Sequence, residues 1–197
     1  MPYEAIVIGV SAGGLEALKA ILPALPESFS IPIAIVQHRN ERQDNFLIEY
    51  LDKISKLKVK EAEGKEPLCS GYAYLAPAGY HLLVEPDRSF SLSVDDRVNY
   101  SCPSIDVLFE SAAEVFSESL IGIILTGANS DGAKGLKAIK KKGGLAIVQN
   151  PATAESDSMP KAALATTKAD YIVNLGQLAP LLQQLTAQQG ETYGTNG

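Results

Sequence analysis

Ala5-Ile6-Val7-Ile8-Gly9-Val10-Ser11-Ala12-Gly13-Gly14-Leu15 is the stretch whose reading decides the fold. Ala5 to Ile8 is short, apolar and rich in β-branched residues, which suits a strand buried on both faces. Beyond the glycines, Leu15, Leu18, Ile21 and Leu22 recur at helical spacing. The segment therefore reads strand, Gly-rich turn, helix. In that setting Gly9-Val10-Ser11-Ala12-Gly13 fits the G-x-S-x-G pattern of a nucleophile elbow, which holds a serine on a sharp turn above the sheet. The small residues Ala12, Gly13 and Gly14 let the chain turn tightly and a substrate approach. The amides that open the next helix can hold a developing oxyanion.

The same residues stand close to a dinucleotide-binding fingerprint, and taken alone they leave both readings open. A dinucleotide site also wants an acidic residue roughly 20 positions on, at the end of the next strand. Here that strand, Ile31-Pro32-Ile33-Ala34-Ile35-Val36-Gln37, ends in His38. The histidine favours acyl chemistry.

A chain of 197 residues suits one domain with a substantial core, expected over residues 1–188. The Gly- and Thr-rich stretch 189–197 reads as a disordered tail. The net charge of −6 supplies no basic excess for phosphates, which argues against nucleic acid as a partner. Cys69 and Cys102 form no C-x-x-C pair, so neither a metal cluster nor a disulfide framework is expected. Free thiols fit a reducing cytoplasm. Met1-Pro2-Tyr3-Glu4 has no basic n-region or cleavage pattern, and no apolar run approaches the roughly 18 residues that span a bilayer. The expected protein is cytoplasmic, does not insert into membranes, and works without metal or cofactor. Its oligomeric state leaves no mark on the sequence.

Strands and helices alternate along most of the chain. Helical spacing recurs over 45–56, in a helix opened by Pro103 and Ser104, over 132–142, over 159–165 and over 177–188. Ser104 is the expected N-cap of the helix whose buried face holds Ile105, Leu108, Phe109, Ala112 and Phe116. Strands are expected at 57–62, 120–125, 145–149 and 170–173. Between Gly71 and Val94 three short runs, at 72–77, 81–84 and 90–94, read as an antiparallel patch. The expected class is α/β: a doubly wound, mostly parallel sheet with helices on both faces and a small antiparallel patch.

Ser11, His38 and Asp131 each fall just past the C-terminal end of an expected parallel strand, the edge where open α/β sheets bind ligands. Serine is inert at neutral pH without a base, and a carboxylate must hold the imidazole tautomer. Asp131 alone reads as a turn residue or as an N-cap for the helix after Gly132. With Ser11 and His38 on the same rim, the catalytic reading prevails. His81, in the antiparallel patch, reads as structural.

Six blocks in order carry a resemblance that covers nearly the whole chain: Ile8 to Gly14, Val36-Gln37-His38, Tyr74-Leu75-Ala76-Pro77 with His81-Leu82, Pro103 to Phe109, Leu125-Thr126-Gly127 with Asp131-Gly132-Ala133, and Gln149-Asn150 with Met159-Pro160. In these the chain resembles the catalytic domain of the chemotaxis protein-glutamate methylesterases, the CheB family. The chain order Ser, His, Asp also separates it from the α/β-hydrolases, which run Ser, Asp, His. The resemblance implies Ser11 as nucleophile, His38 as general base and Asp131 as its orienter. It further implies that the loop at Ala128 helps form the oxyanion pocket. The implied substrate is the γ-glutamyl methyl ester on cytoplasmic helices of chemoreceptors, with deamidation of receptor glutamines in some members.

The chain departs from the family pattern in several places. Ala128-Asn129 stands where the family usually has Met-Gly, Ala12 where threonine is frequent, and Cys102 where arginine is common. The family usually carries an N-terminal receiver domain and this sequence begins at the catalytic strand, as a stand-alone member or a part of something larger; if it is full length, a small phosphodonor is expected neither to modify the chain nor to raise its activity. These departures keep two alternatives in view: a stand-alone esterase with another protein substrate, or a weakly active regulatory or binding module.

Overall fold

Along the chain run β1 (Ala5–Val10), α1 (Gly14–Ile21), β2 (Ile33–Gln37), α2 (Phe46–Ile54), β3 (Lys58–Glu61), β4 (Tyr72–Leu75), β5 (His81–Val84), β6 (Phe90–Ser93), α3 (Ile105–Phe116), β7 (Leu120–Ile124), α4 (Ala133–Lys141), β8 (Leu145–Gln149), α5 (Ser158–Thr166), β9 (Tyr171–Val173) and α6 (Leu175–Ala187). These elements come from a computed structural model that describes residues 2–38 and 46–187. The expected helix start at Asn45, the helix end at Gln188 and the tail 189–197 lie outside the described residues.

All of β1 is buried, and its side chains feed two cores by the strict alternation of a strand. Ile6, Ile8 and Val10 meet Leu18 and Ile21 of α1, Leu51 of α2, and Leu178 and Leu182 of α6. Ala5 and Val7 face the opposite core, with Leu108 and Phe109 of α3, Leu136 of α4, Met159 of α5 and Phe90 of β6. Helices thus cover both faces of the sheet. A continuous apolar run such as β1 requires that arrangement, because neither of its faces can meet water without loss.

Among the described residues one sheet has seven strands in the order β3-β4-β2-β1-β7-β8-β9, and every neighbouring pair is parallel. β5 and β6 form a separate antiparallel pair. The doubly wound α/β expectation holds, with one correction. The run at 72–77 is not part of the antiparallel patch: β4 lies inside the main sheet, parallel to both β3 and β2. Ala73, Tyr74 and Leu75 are almost fully buried there, as an internal strand demands. Pairing partners are a tertiary property, and a four-residue run carries no local sign of which edge it joins.

The buried face foreseen for α3 is correct at all five positions. Leu15 of α1 and Phe46 of α2 lie at helical spacing with the apolar residues that follow them, yet both are exposed, Phe46 by 66 %. They line a cleft at the C-terminal edge of the sheet. No helix of the described residues is long and apolar enough to cross a membrane.

Candidate active site

β1 and β2 are neighbours in parallel register, with Val10 opposite Gln37. The next step along each strand brings Ser11 and His38 to the same rim. The backbone locks this junction: the His38 N–H donates to the Val10 carbonyl at 3.0 Å, and the Ser11 N–H to the Thr126 carbonyl at 2.9 Å. Gln37, largely buried between them, donates from Nε2 to the carbonyls of both Ser11 and His38 at 3.0 Å each. Its Oε1 lies against Gly14, where any Cβ would meet it at 1.9 Å. This clamp was not foreseen, since a strand-end glutamine has no motif of its own.

Ser11 and His38 open into one cleft of about 930 Å³, walled by Gly13, Gly14, Phe46 and Glu155 among others. Gly13 adopts φ 78° as the N-cap of α1, the left-handed region open to glycine at little cost. A Cβ there would also lie 2.8 Å from the Cβ of Glu155. Gly13→Ala is therefore expected to lose about 2 kcal/mol of stability, part left-handed strain and part overlap. It should lower kcat/KM at least tenfold by shifting the Ser11 turn. Paired thermal melts and rate measurements check both halves.

The amides foreseen as oxyanion donors divide into two groups. The Gly14 N–H donates to the Ser11 carbonyl at 2.9 Å, so it tightens the turn rather than facing a ligand. The amides of Ala12 and Gly13 have no backbone partner among the described residues. Ala128 is exposed on the adjoining loop. That loop is tied to the serine turn by Thr126, whose hydroxyl donates to the Ala12 carbonyl at 2.8 Å and accepts from the Ser156 N–H at 2.9 Å.

The Asp131 carboxylate is the most heavily bonded group in the site. Its Oδ2 accepts from His38 Nε2 at 2.8 Å and from the Ile105 N–H at 2.7 Å. Its Oδ1 accepts from Ser104 Oγ at 2.8 Å, Asn99 Nδ2 at 2.9 Å and the Asp106 N–H at 3.2 Å. Two sequence expectations change here. Asp131 does cap a helix, but that helix is α3, whose first two amides it receives across 25 and 26 residues of chain. Ser104 occupies the N-cap position of α3 without capping it; its hydroxyl serves Asp131 instead. A carboxylate offers four lone pairs to the positive end of the helix dipole, which a hydroxyl cannot match.

Asp106, in the first turn of α3, returns the favour by accepting from the Gly135 N–H of α4 at 2.7 Å. Asn99 bridges the two carboxylates, with Nδ2 2.8 Å from Asp106 and 2.9 Å from Asp131. Their acidities move apart. Burial pushes the Asp131 carboxyl up, but the bonds from His38, Asn99, Ile105 and Ser104 outweigh it and hold the group below its usual range. Burial, with the Asp131 charge added, raises Asp106 despite the Gly135 amide. The cluster thus keeps its charge on the carboxylate that touches His38.

A carboxylate at Nε2 requires that nitrogen to carry the proton, so the lone pair of the neutral imidazole lies on Nδ1. His81 is the structural histidine expected: it is buried, with Nδ1 accepting from the Ser104 N–H at 3.2 Å and Nε2 bonded to the Asp96 carbonyl at 3.1 Å. It fastens the 96–104 segment that carries Asn99.

The fold and cleft define a class: a doubly wound α/β domain with a serine and a carboxylate-bound histidine at the C-terminal edge of its sheet. The family model for CheB methylesterase matches residues 6–182, and the chain belongs to that family. A relative from Leptospira interrogans, named a putative protein-glutamate methylesterase/protein-glutamine glutaminase, is 57% identical over 185 residues, covering 94% of this chain and 96% of its own. A probable protein-glutamate methylesterase of Borreliella burgdorferi is 41% identical over 93% of this chain and 49% of its own. The crystal structure of the Thermotoga maritima CheB methylesterase catalytic domain superposes with a TM-score of 0.89 at 34% identity, covering 94% of this chain and 100% of that one.

Proposed function

We propose that this protein hydrolyses γ-glutamyl methyl esters on the cytoplasmic helices of chemoreceptors, with Ser11 as nucleophile, His38 as general base and Asp131 as its orienter. The observation that carries the reading is the 2.8 Å bond between His38 Nε2 and a buried carboxylate, beside Ser11 in one cleft. His38 Nδ1 takes the Ser11 proton as Oγ attacks the ester carbonyl. The amides of Ala12, Gly13 and Ala128 are the candidate donors to the oxyanion. Nδ1–H then protonates the departing methoxide, releasing methanol and leaving the glutamyl group on Ser11. Water, activated by the same nitrogen, frees the glutamate. Replacing methanol by ammonia as leaving group turns the same steps into glutamine deamidation.

The names of the Leptospira and Borreliella relatives support the substrate class. The test is release of labelled methanol from receptor membranes methylated beforehand with a tritiated methyl donor. Time-dependent release by the wild-type protein is the expected result. Turnover of small esters with no release from receptors would move the substrate to another methylated protein.

A further inference from the structure

Asn129 stands where the family resemblance has glycine, and its side chain is fixed at both ends. Its Oδ1 accepts from the Asp131 N–H at 3.1 Å, the geometry of an Asx turn. That bond turns the NH₂ group towards His38, with Nδ2 3.4 Å from Nδ1. Asp131 already claims Nε2–H, so the only bond the amide can make is donation to the Nδ1 lone pair. This lone pair must receive the Ser11 proton. A proton on Nδ1 would face the N–H of Asn129, and one of the two would have to turn away.

We propose that Asn129 is a positioning residue that masks the His38 base: its amide holds the neutral imidazole in the productive tautomer and competes with the Ser11 hydroxyl for Nδ1. The proposal rests on the reading of Ser11 and His38 given above. The masking bond is long and half-exposed, so Asn129 can swing off when substrate enters. Charged groups near His38 among the described residues include Asp131 at Nε2, Asp106 behind it, and Glu16 and Glu155 on the cleft walls, with Glu110 of α3 and Lys134 of α4 beside the Asp131–Asp106 pair. All are the same in variants at position 129.

The experiment measures the rate of Ser11 labelling by a fluorophosphonate as a function of pH, which needs no knowledge of the natural ester. Two variants are compared with the wild type. Asn129→Gly removes the donor; Asn129→Asp keeps the Asx acceptor but replaces the donor by an anion. The expected result is slower labelling than wild type in Asn129→Asp, whose carboxylate draws the ring proton onto Nδ1. The alkaline plateau of Asn129→Gly should rise above wild type, because Ser11 no longer has a competitor. A plateau unchanged in Asn129→Gly overturns the proposal. So does a plateau that falls by 10² or more in that variant, which would make Asn129 an oxyanion donor. Loss of labelling in Ser11→Ala separates these outcomes from failure of the nucleophile assignment itself.

Discussion

Replacing Ser11 with alanine is expected to lower methanol release by roughly 10⁴ to 10⁶ while leaving the melting curve close to wild type. The turn is held without the hydroxyl, by the Ser11 amide on Thr126, the Ser11 carbonyl shared by Gly14 and Gln37, and the left-handed Gly13. None of those bonds uses Oγ. The residual rate should come from ester binding and the backbone donors, which remain in place when a triad member is removed. Ester turnover by the alanine variant at near wild-type rate would exclude Ser11 as nucleophile.

Asp131→Asn is the second large effect, and it should appear in two measurements at once. An amide nitrogen in place of Oδ2 would face both His38 Nε2 and the Ile105 N–H, each of which now donates to it. To donate to the ring it stabilises the tautomer with its lone pair on Nε2, so turnover should fall by roughly 10⁴. It also leaves a buried helix-terminal amide without an acceptor, at a cost of about 3 kcal/mol when lost capping and the unpaired donor are combined. The deficit depends on pH with a definite sign. Because the folded-state acidity of Asp131 is lowered, its stabilisation is fully present above the usual carboxylate range and is lost as pH falls through the folded-state value. The stability gap between wild type and Asp131→Asn should therefore be constant near neutrality and close below about pH 4. Asp106 runs the opposite way: its raised carboxyl favours the folded state when protonated, and that contribution is lost as pH rises through its folded-state value. Melts from pH 3 to pH 8 beside rates at pH 7.5 check both. A variant that lost stability but kept its turnover would leave Asp131 a helix cap and nothing more.

What could be read from the chain alone follows from which interactions are local. The β1–turn–α1 unit and the buried face of α3 were legible because strand runs and helical spacing are written within a dozen residues. The convergence of Ser11, His38 and Asp131 was legible because a parallel sheet sends every strand's C-terminal end to one edge. The position of β4 was not, since pairing depends on partners far along the chain. Nor was the capping of α3 by Asp131, because capping rules look two or three residues ahead and this bond spans 26. Asn99, with φ 50° in an irregular segment, had no periodicity to mark it. Gln37 and Asn129 act through backbone carbonyls and one ring nitrogen, contacts that exist only once the sheet edge has formed. The exposed Leu15 and Phe46 show the reverse failure: their helical spacing was right, but a cleft rather than a core lies beside them.

The central claim is that the oxygen of Ser11 becomes covalently engaged because the His38–Asp131 pair activates it. Intact-mass and peptide mass spectrometry after treatment with a fluorophosphonate measures this directly. The prediction is one adduct per chain, located on Ser11, absent after denaturation, slowed by orders of magnitude in Asp131→Asn and abolished in Ser11→Ala. An adduct that forms on another residue, or that forms on Ser11 at the same rate without the Asp131 carboxylate, would contradict the account.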